Sequence, residues 1–146
     1  GGATGSCGAL SETAIVTAKP AFVSATVSGY RSNVGAPQSW WVDTGIDVVS
    51  GKGVTFSCNN ARVYPWAGHA GSTCAGEALT WSDALVPACL FNSLVAKVGQ
   101  AGAPFCVGSS ASTFTAPATG RLYLAPNDGV SFEDNSGAWT VTVGLQ

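Results

Sequence analysis

Apolar and polar residues alternate at period two along much of the chain, the pattern of strands with one buried face and one solvated face. It is clearest in Phe22-Val23-Ser24-Ala25-Thr26-Val27-Ser28, Val54-Thr55-Phe56-Ser57-Cys58, Arg121-Leu122-Tyr123-Leu124 and Trp139-Thr140-Val141-Thr142-Val143. Shorter runs at Ala14 to Thr17, Trp40 to Val42, Ile46 to Val49, Leu94 to Val98 and Phe105 to Val107 predict further strands, most of them bounded by Gly, Pro, Asn or Ser. Trp81 to Phe91 alone has the length and composition of a short helix. Pro87 sits inside it and would remove a hydrogen bond, so the segment is expected to be irregular or to hold one turn. Short strands without intervening helices predict an all-β fold, a jelly-roll-like antiparallel β-sandwich.

Two regions depart from this pattern. Residues 1–37 are richer in Ala, Gly, Ser and Thr than the rest yet contain two strand-like runs. They are expected to form an N-terminal extension, either strands added to a sheet or an arm docked elsewhere, ahead of a sandwich domain at 38–146. Tyr64 to Cys89 has little periodicity but carries two cysteines, two tryptophans and the single histidine. Loops this long in a compact domain are usually functional or tethered by disulfides.

Composition narrows the function. At 146 residues and 46% apolar, the chain fits one domain with a full core. Only 10% of residues are charged, against about a quarter in ordinary soluble domains, so the surface must be built from hydroxyls and amides. The six basic residues are scattered and the net charge is −2, which argues against nucleic acid as a partner. Apolar runs such as Ala84 to Phe91 fall well short of the roughly 20 residues that span a bilayer.

Cys7, Cys58, Cys74, Cys89 and Cys106 are widely spaced, with no C-x-x-C pair to suggest zinc or redox chemistry. Disulfides in a secreted protein are the expectation, and the opening Gly1-Gly2-Ala3 is what a processed chain would show. Four cysteines allow three connectivities; the pairing taken here is Cys74–Cys89, closing the long loop, with Cys58–Cys106. That leaves Cys7 as the odd thiol, free or paired with another chain.

The densest group of oxygen ligands is Asp128, Glu133, Asp134 and Asn135, between two predicted strands. Calcium takes six to eight oxygens from carboxylates, amides and carbonyls, and a Gly-containing loop can wrap to supply them. The spacing is not that of an EF-hand, and two ordinary turns, Asn127-Asp128-Gly129 and Asn135-Ser136-Gly137, would also account for the loop. Asp43-Thr44-Gly45 matches the aspartic-protease triplet, but the residues around it read as a strand and no partner motif follows. With His69 the only histidine and no Gly-x-Ser-x-Gly elbow, a hydrolase triad is not expected, and the chain is taken not to be an enzyme.

From about residue 39 to 146 the chain resembles the galactose-binding calcium lectins of the bacterial PA-IL (LecA) type. The likeness runs through Asp43-Thr44-Gly45-Ile46-Asp47-Val48, Leu94-Val95-Ala96-Lys97-Val98-Gly99, and Asn127-Asp128 followed by Asp134-Asn135-Ser136-Gly137. The resemblance implies a galactose-binding-domain-like sandwich and a Ca²⁺ held by Asp128, Asp134 and Asn135 with the carbonyls of Ser131 and Tyr64. It implies sugar hydroxyls bound at Asp128, Asp134 and Asn135.

Trp66 and Trp81 are candidate faces for the sugar's C–H surface, and His69 lies near the position of a family sugar contact without matching its register. The calcium loop is one residue shorter than in the family, and Asp134 stands where the family has an amide, adding charge and removing an NH₂ donor. The function expected is therefore a calcium-dependent lectin domain of a secreted protein, with a galactose-like carbohydrate as partner. The alternative is a structural subunit of an extracellular multimer or fibre, a homo-oligomer assembled through the N-terminal arm or Cys7.

Overall fold

The computed structural model describes residues 21–146, so the run at Ala14 to Thr17 and Cys7 lie outside the described residues. Among the described residues nine strands form two antiparallel sheets: β1 (Ala21–Ser28), β2 (Val42–Val48), β3 (Gly53–Cys58), β4 (Val63–Tyr64), β5 (Leu94–Val98), β6 (Phe105–Cys106), β7 (Phe114–Thr115), β8 (Gly120–Pro126) and β9 (Ser136–Leu145). One sheet has the order β1-β9-β3-β7, with β4 paired to the start of β9; the other has the order β2-β8-β5-β6. The chain is an all-β sandwich. Among the described residues no helix is long and apolar enough to cross a membrane.

The alternation read in the sequence is what buries the core. Trp139, Val141 and Val143 of β9 point inward with Val27 of β1 and Val54 and Phe56 of β3, and meet Leu94, Ala96, Leu122 and Leu124 from the facing sheet. Burying such side chains contributes roughly 1.5–3 kcal/mol each. β1 is therefore an added strand rather than a detached arm: it pairs with β9 over eight residues, Ala21↔Leu145 to Ser28↔Ala138.

β5 is buried at all five positions because its outer face is also covered. Val95 joins Trp41, Ala125 and Cys89 in a second cluster, roofed by Leu85 and Val86 of the long loop. Lys97 is enclosed here, its ammonium 4.7 Å from the Trp41 ring centre and donating to Gln38 Oε1 and the Gln100 carbonyl. Burial lowers its pKa.

Three expectations change. Trp40 to Val42 and Ile46 to Val49 are not two strands: Trp40 lies in a 3₁₀ turn, and Val42–Val48 is one strand whose register against β8 shifts between Asp43 and Asp47. Gly45, at φ 72°, makes the irregularity, and Asp43 Oδ1 accepts from its N–H. Arg121 closes it by donating to Asp43 and Asp47 at 2.9 and 2.8 Å. The Asp-Thr-Gly triplet thus builds a strand irregularity, with Asp43 held below the usual carboxylate range by the Gly45 N–H and then by Arg121.

The disulfides are Cys58–Cys74 and Cys89–Cys106, not Cys74–Cys89 and Cys58–Cys106. The chain leaving β3 doubles back so that Val63 bridges Ser72, which returns Cys74 to the end of β3. Cys106 pairs with Val95, and Val95 shares its outer-face cluster with Cys89. The third change is β4 and β7, two-residue strands that no periodicity announced. Trp81 to Phe91 is irregular, as expected, pinned by the bridges Thr80↔Leu90 and Ala84↔Gly129.

Candidate functional site

The loop between β8 and β9 is built from its first residue. Asn127 is fully buried, and its Nδ2 faces the carbonyls of Val86, Cys89 and Leu90 at 3.0–3.1 Å while Oδ1 accepts from Val86 N–H at 2.8 Å. It clamps the long loop onto the end of β8. The Asp128 carbonyl accepts from Leu85 N–H at 2.8 Å, extending the same contact. Gly129 follows because a Cβ there would run into the Asp83 carbonyl.

Val130 is forced to φ 59° and is 70% exposed. Ser131 N–H closes a tight turn onto the Gly129 carbonyl at 2.6 Å. A β-branched residue in the left-handed region costs about 1–3 kcal/mol, so the surroundings must impose it. They do so through Asn33. Its Oδ1 accepts from Trp40 Nε1 at 2.9 Å and Phe132 N–H at 3.2 Å, and its Nδ2 donates to Ser131 Oγ at 3.2 Å. Its own N–H donates to Glu133 Oε1. Phe132, fully buried, stacks on Trp40 with ring centres 4.7 Å apart.

The result is a group of buried oxygens without partners. Asp128 Oδ1 accepts from Gly129 N–H at 2.8 Å, but Oδ2 has no hydrogen-bond partner among the described residues. Neither Oδ1 nor Nδ2 of the buried Asn135 makes a hydrogen bond of good geometry either, although its amide lies close enough to the Asp128 carboxyl to favour the ionised form. Burial, reinforced by the charge of Asp134, pushes the Asp128 carboxyl up to about 6, against the opposing effects of Gly129 N–H and the neighbouring Asn135 amide. Leaving buried polar atoms unpaired costs about 1–3 kcal/mol each, which marks the loop as shaped for something other than its own stability.

Asp128, Ser131 and the exposed Asp134 line a cavity of about 250 Å³ whose opposite wall is Trp66 and Trp81. Of the five residues expected to hold a metal, Asp128, Ser131 and Asp134 thus share this cavity with two tryptophans, while Asn135 lies in the same loop and β4 pairs Tyr64 with the neighbouring Ser136. Glu133 is exposed and tied to Asn33 instead. His69 is not on this cavity: its Nδ1 accepts from Gly71 N–H, its Nε2 lies 3.5 Å from Glu77, and its ring abuts Trp66 from behind. Among the described residues no three His, Cys, Asp or Glu side chains gather as a metal cluster, so any ion here depends on amide and backbone oxygens beside two carboxylates.

A solved structure of the EclA N-terminal domain, a PllA-like lectin, matches with a TM-score of 0.63, covering 87% of this chain and 98% of that one at 21% sequence identity. The chain shares the fold of that domain. At that identity the likeness concerns the fold alone. No family model and no curated protein sequence matches the chain. Asn33 carried no signal in the sequence, since an isolated Asn reads as a turn residue, and Asn127 was marked only as part of the Asn127-Asp128 motif, without its role as a clamp.

Proposed function

We propose that this chain is a calcium-dependent carbohydrate-binding domain of a secreted protein, working by binding rather than catalysis. The observation that carries the reading is the buried, partnerless Oδ2 of Asp128, a residue that lines a cavity together with Trp66 and Trp81, with the partnerless Asn135 Oδ1 in the same loop. These oxygens, the Asp134 carboxylate and the carbonyls of Ser131 and Tyr64 would hold Ca²⁺, a hard ion that takes such donors. When bound, Ca²⁺ offers open coordination positions to vicinal sugar hydroxyls in place of water. The chain's own residues supply the remainder: Trp66 and Trp81 present apolar faces to ring C–H groups, and the buried carboxylate and amide fix the register of the polar side. The lectin fold of the EclA domain and the resemblance to the PA-IL (LecA) type support the same assignment.

Calorimetry with a panel of methyl glycosides, with Ca²⁺ and then with EDTA, tests it. Binding that disappears with EDTA and in Asp128→Ala is expected. Calcium-independent binding, or binding to no glycan, would sink the reading.

A second reading, a structural subunit of an extracellular multimer or fibre, draws on β1. It ends its sheet among the described residues, and its Phe22 is 69% exposed. Phe22→Ser would then lower the assembly state in sedimentation, whereas a pure lectin role leaves it unchanged.

A further inference from the structure

β3 is paired along only part of the edge that faces away from β9. Asn59 N–H donates to the Thr140 carbonyl at 3.0 Å and Gln146 N–H to the Gly53 carbonyl at 3.1 Å, and the register between these two bonds is unbroken. The alternation of an antiparallel ladder then turns the main-chain groups of Thr55 and Ser57 toward β9 and those of Val54, Phe56 and Cys58 away from it. Val54 is met on that far side by Phe114, the first residue of β7. Phe56 and Cys58 have no backbone partner there among the described residues.

A cavity takes the place of the missing ladder. It measures about 450 Å³, and Ser109 and Ala111, from the segment ahead of β7, line it together with Phe56, Ser57 and Cys58 of β3. Both sides are held without a ligand. Val107 and Gly108 N–H donate to the Leu94 carbonyl at 3.0 and 2.9 Å, which anchors the segment to the opposite sheet. The β3 side is fixed by β9 and by the Cys58–Cys74 disulfide, whose two residues line the cavity. No charged side chain lines it; Asn59, Asn60 and Thr73 complete it with amides and a hydroxyl. An unpaired strand edge beside an uncharged gap has the chemistry of strand addition, in which main-chain N–H and C=O groups bind an extended segment. Two residues spaced i, i+2 suit a segment of about four residues.

One strand-like run of that length has no counterpart among the nine strands: Ala14-Ile15-Val16-Thr17, outside the described residues. It is uncharged, and its β-branched residues favour an extended backbone. Its own copy cannot deliver it. Ala21 pairs with Leu145 and Leu145 with Val54, so β1, β9, β3 and the gap follow one another at about 4.8 Å each, about 14 Å in a straight line. The four steps from Thr17 to Ala21 reach about 14 Å at full stretch, which leaves nothing for passing round the sheet or advancing along β3 to Phe56. A second copy is under no such limit.

We propose that residues 14–17 of one copy add as a strand beside Phe56 and Cys58 of another. This rests on the multimer reading above and gives that multimer a donor and an acceptor. The two are different surfaces, so the contact is heterologous and copies join head to tail.

The test is residue-resolved amide exchange by NMR on the full chain, dilute and concentrated, with sedimentation of the same samples. Phe56 and Cys58 N–H should exchange about tenfold more slowly in the concentrated sample, as larger species replace the monomer. Thr55 and Ser57, already bonded to β9, should not change and serve as the control. Ile15→Pro combined with Val16→Pro removes two N–H groups from the run and alters no residue of the described core. It should abolish both the slowing and the larger species while Thr55 and Ser57 keep their protection. Larger species that leave Phe56 and Cys58 unprotected, and that Phe22→Ser dissolves, would overturn this proposal and leave the multimer reading standing through β1. Protection of both amides in a monomer at every concentration would overturn it too, since the gap would then be filled from within the chain. Slowing that survives the proline variant would do the same. A monomer with both amides open at every concentration would remove the proposal and the multimer reading together.

Discussion

Asp128 is the residue on which electrostatics and geometry meet. Its carboxyl titrates at about 6 when folded and near 3.8 when unfolded. Between those values the folded protein holds a proton that the unfolded chain has lost, so stability falls as pH rises through the window. Metal-free protein should therefore lose about 1–2 kcal/mol between pH 4 and pH 7, once solvent screening at the open side of the loop is allowed for. Urea denaturation in EDTA at the two pH values measures this. Asp128→Asn, neutral at both, should remove most of the slope. Equal slopes in the two proteins would show that the penalty lies elsewhere. Added Ca²⁺ should raise stability most at pH 7, where the carboxylate is ionised.

The elements were legible to different degrees, for reasons that can be named. β1, β3, β8 and β9 could be read because each has one face in the core and one in water, which imposes period two on their residues. β2 was split because Gly45 interrupts its pattern, and β7 is too short to have one. The loop between β8 and β9 was singled out through a motif, but what holds it was hidden, since Asn33 lies almost a hundred positions away in a Ser- and Gly-rich stretch. Its importance makes a sharp prediction. Asn33→Ala removes the acceptor for Trp40 Nε1 and Phe132 N–H and should cost about 2–3 kcal/mol in chemical denaturation. It should also weaken Ca²⁺ binding in titration. Asn33→Asp keeps both acceptor contacts and should retain most of the stability; equal loss in the two variants would discount those bonds.

At the scale of the whole molecule, the candidate binding face is assembled from segments far apart in the chain and fastened from below. The disulfide Cys89–Cys106 ties the loop carrying Trp81 to the edge of one sheet, and Cys58–Cys74 ties the segment after Tyr64 to the other. The sequence disclosed that the cysteines pair but not how, because connectivity follows from which strands become neighbours. Closing a loop of 17 residues contributes about 3 kcal/mol, so Cys89→Ala with Cys106→Ala should lower stability by about that amount in denaturant. The variant should keep its β-rich circular dichroism, as the large core does not depend on the bridge. Loss of that spectrum would mean that the bridge is required for the sandwich itself.

The placement of the tryptophans gives the protein an optical reporter of its own. Trp41 and Trp139 are buried in the two apolar clusters and insulated from events at the loop, whereas Trp40 stacks on Phe132 of the loop itself. Trp66 and Trp81 line the cavity beside the β8–β9 loop. Occupancy of that cavity will shield the half-exposed Trp66 from acrylamide, so quenching titrations can follow binding without any label on ligand or protein.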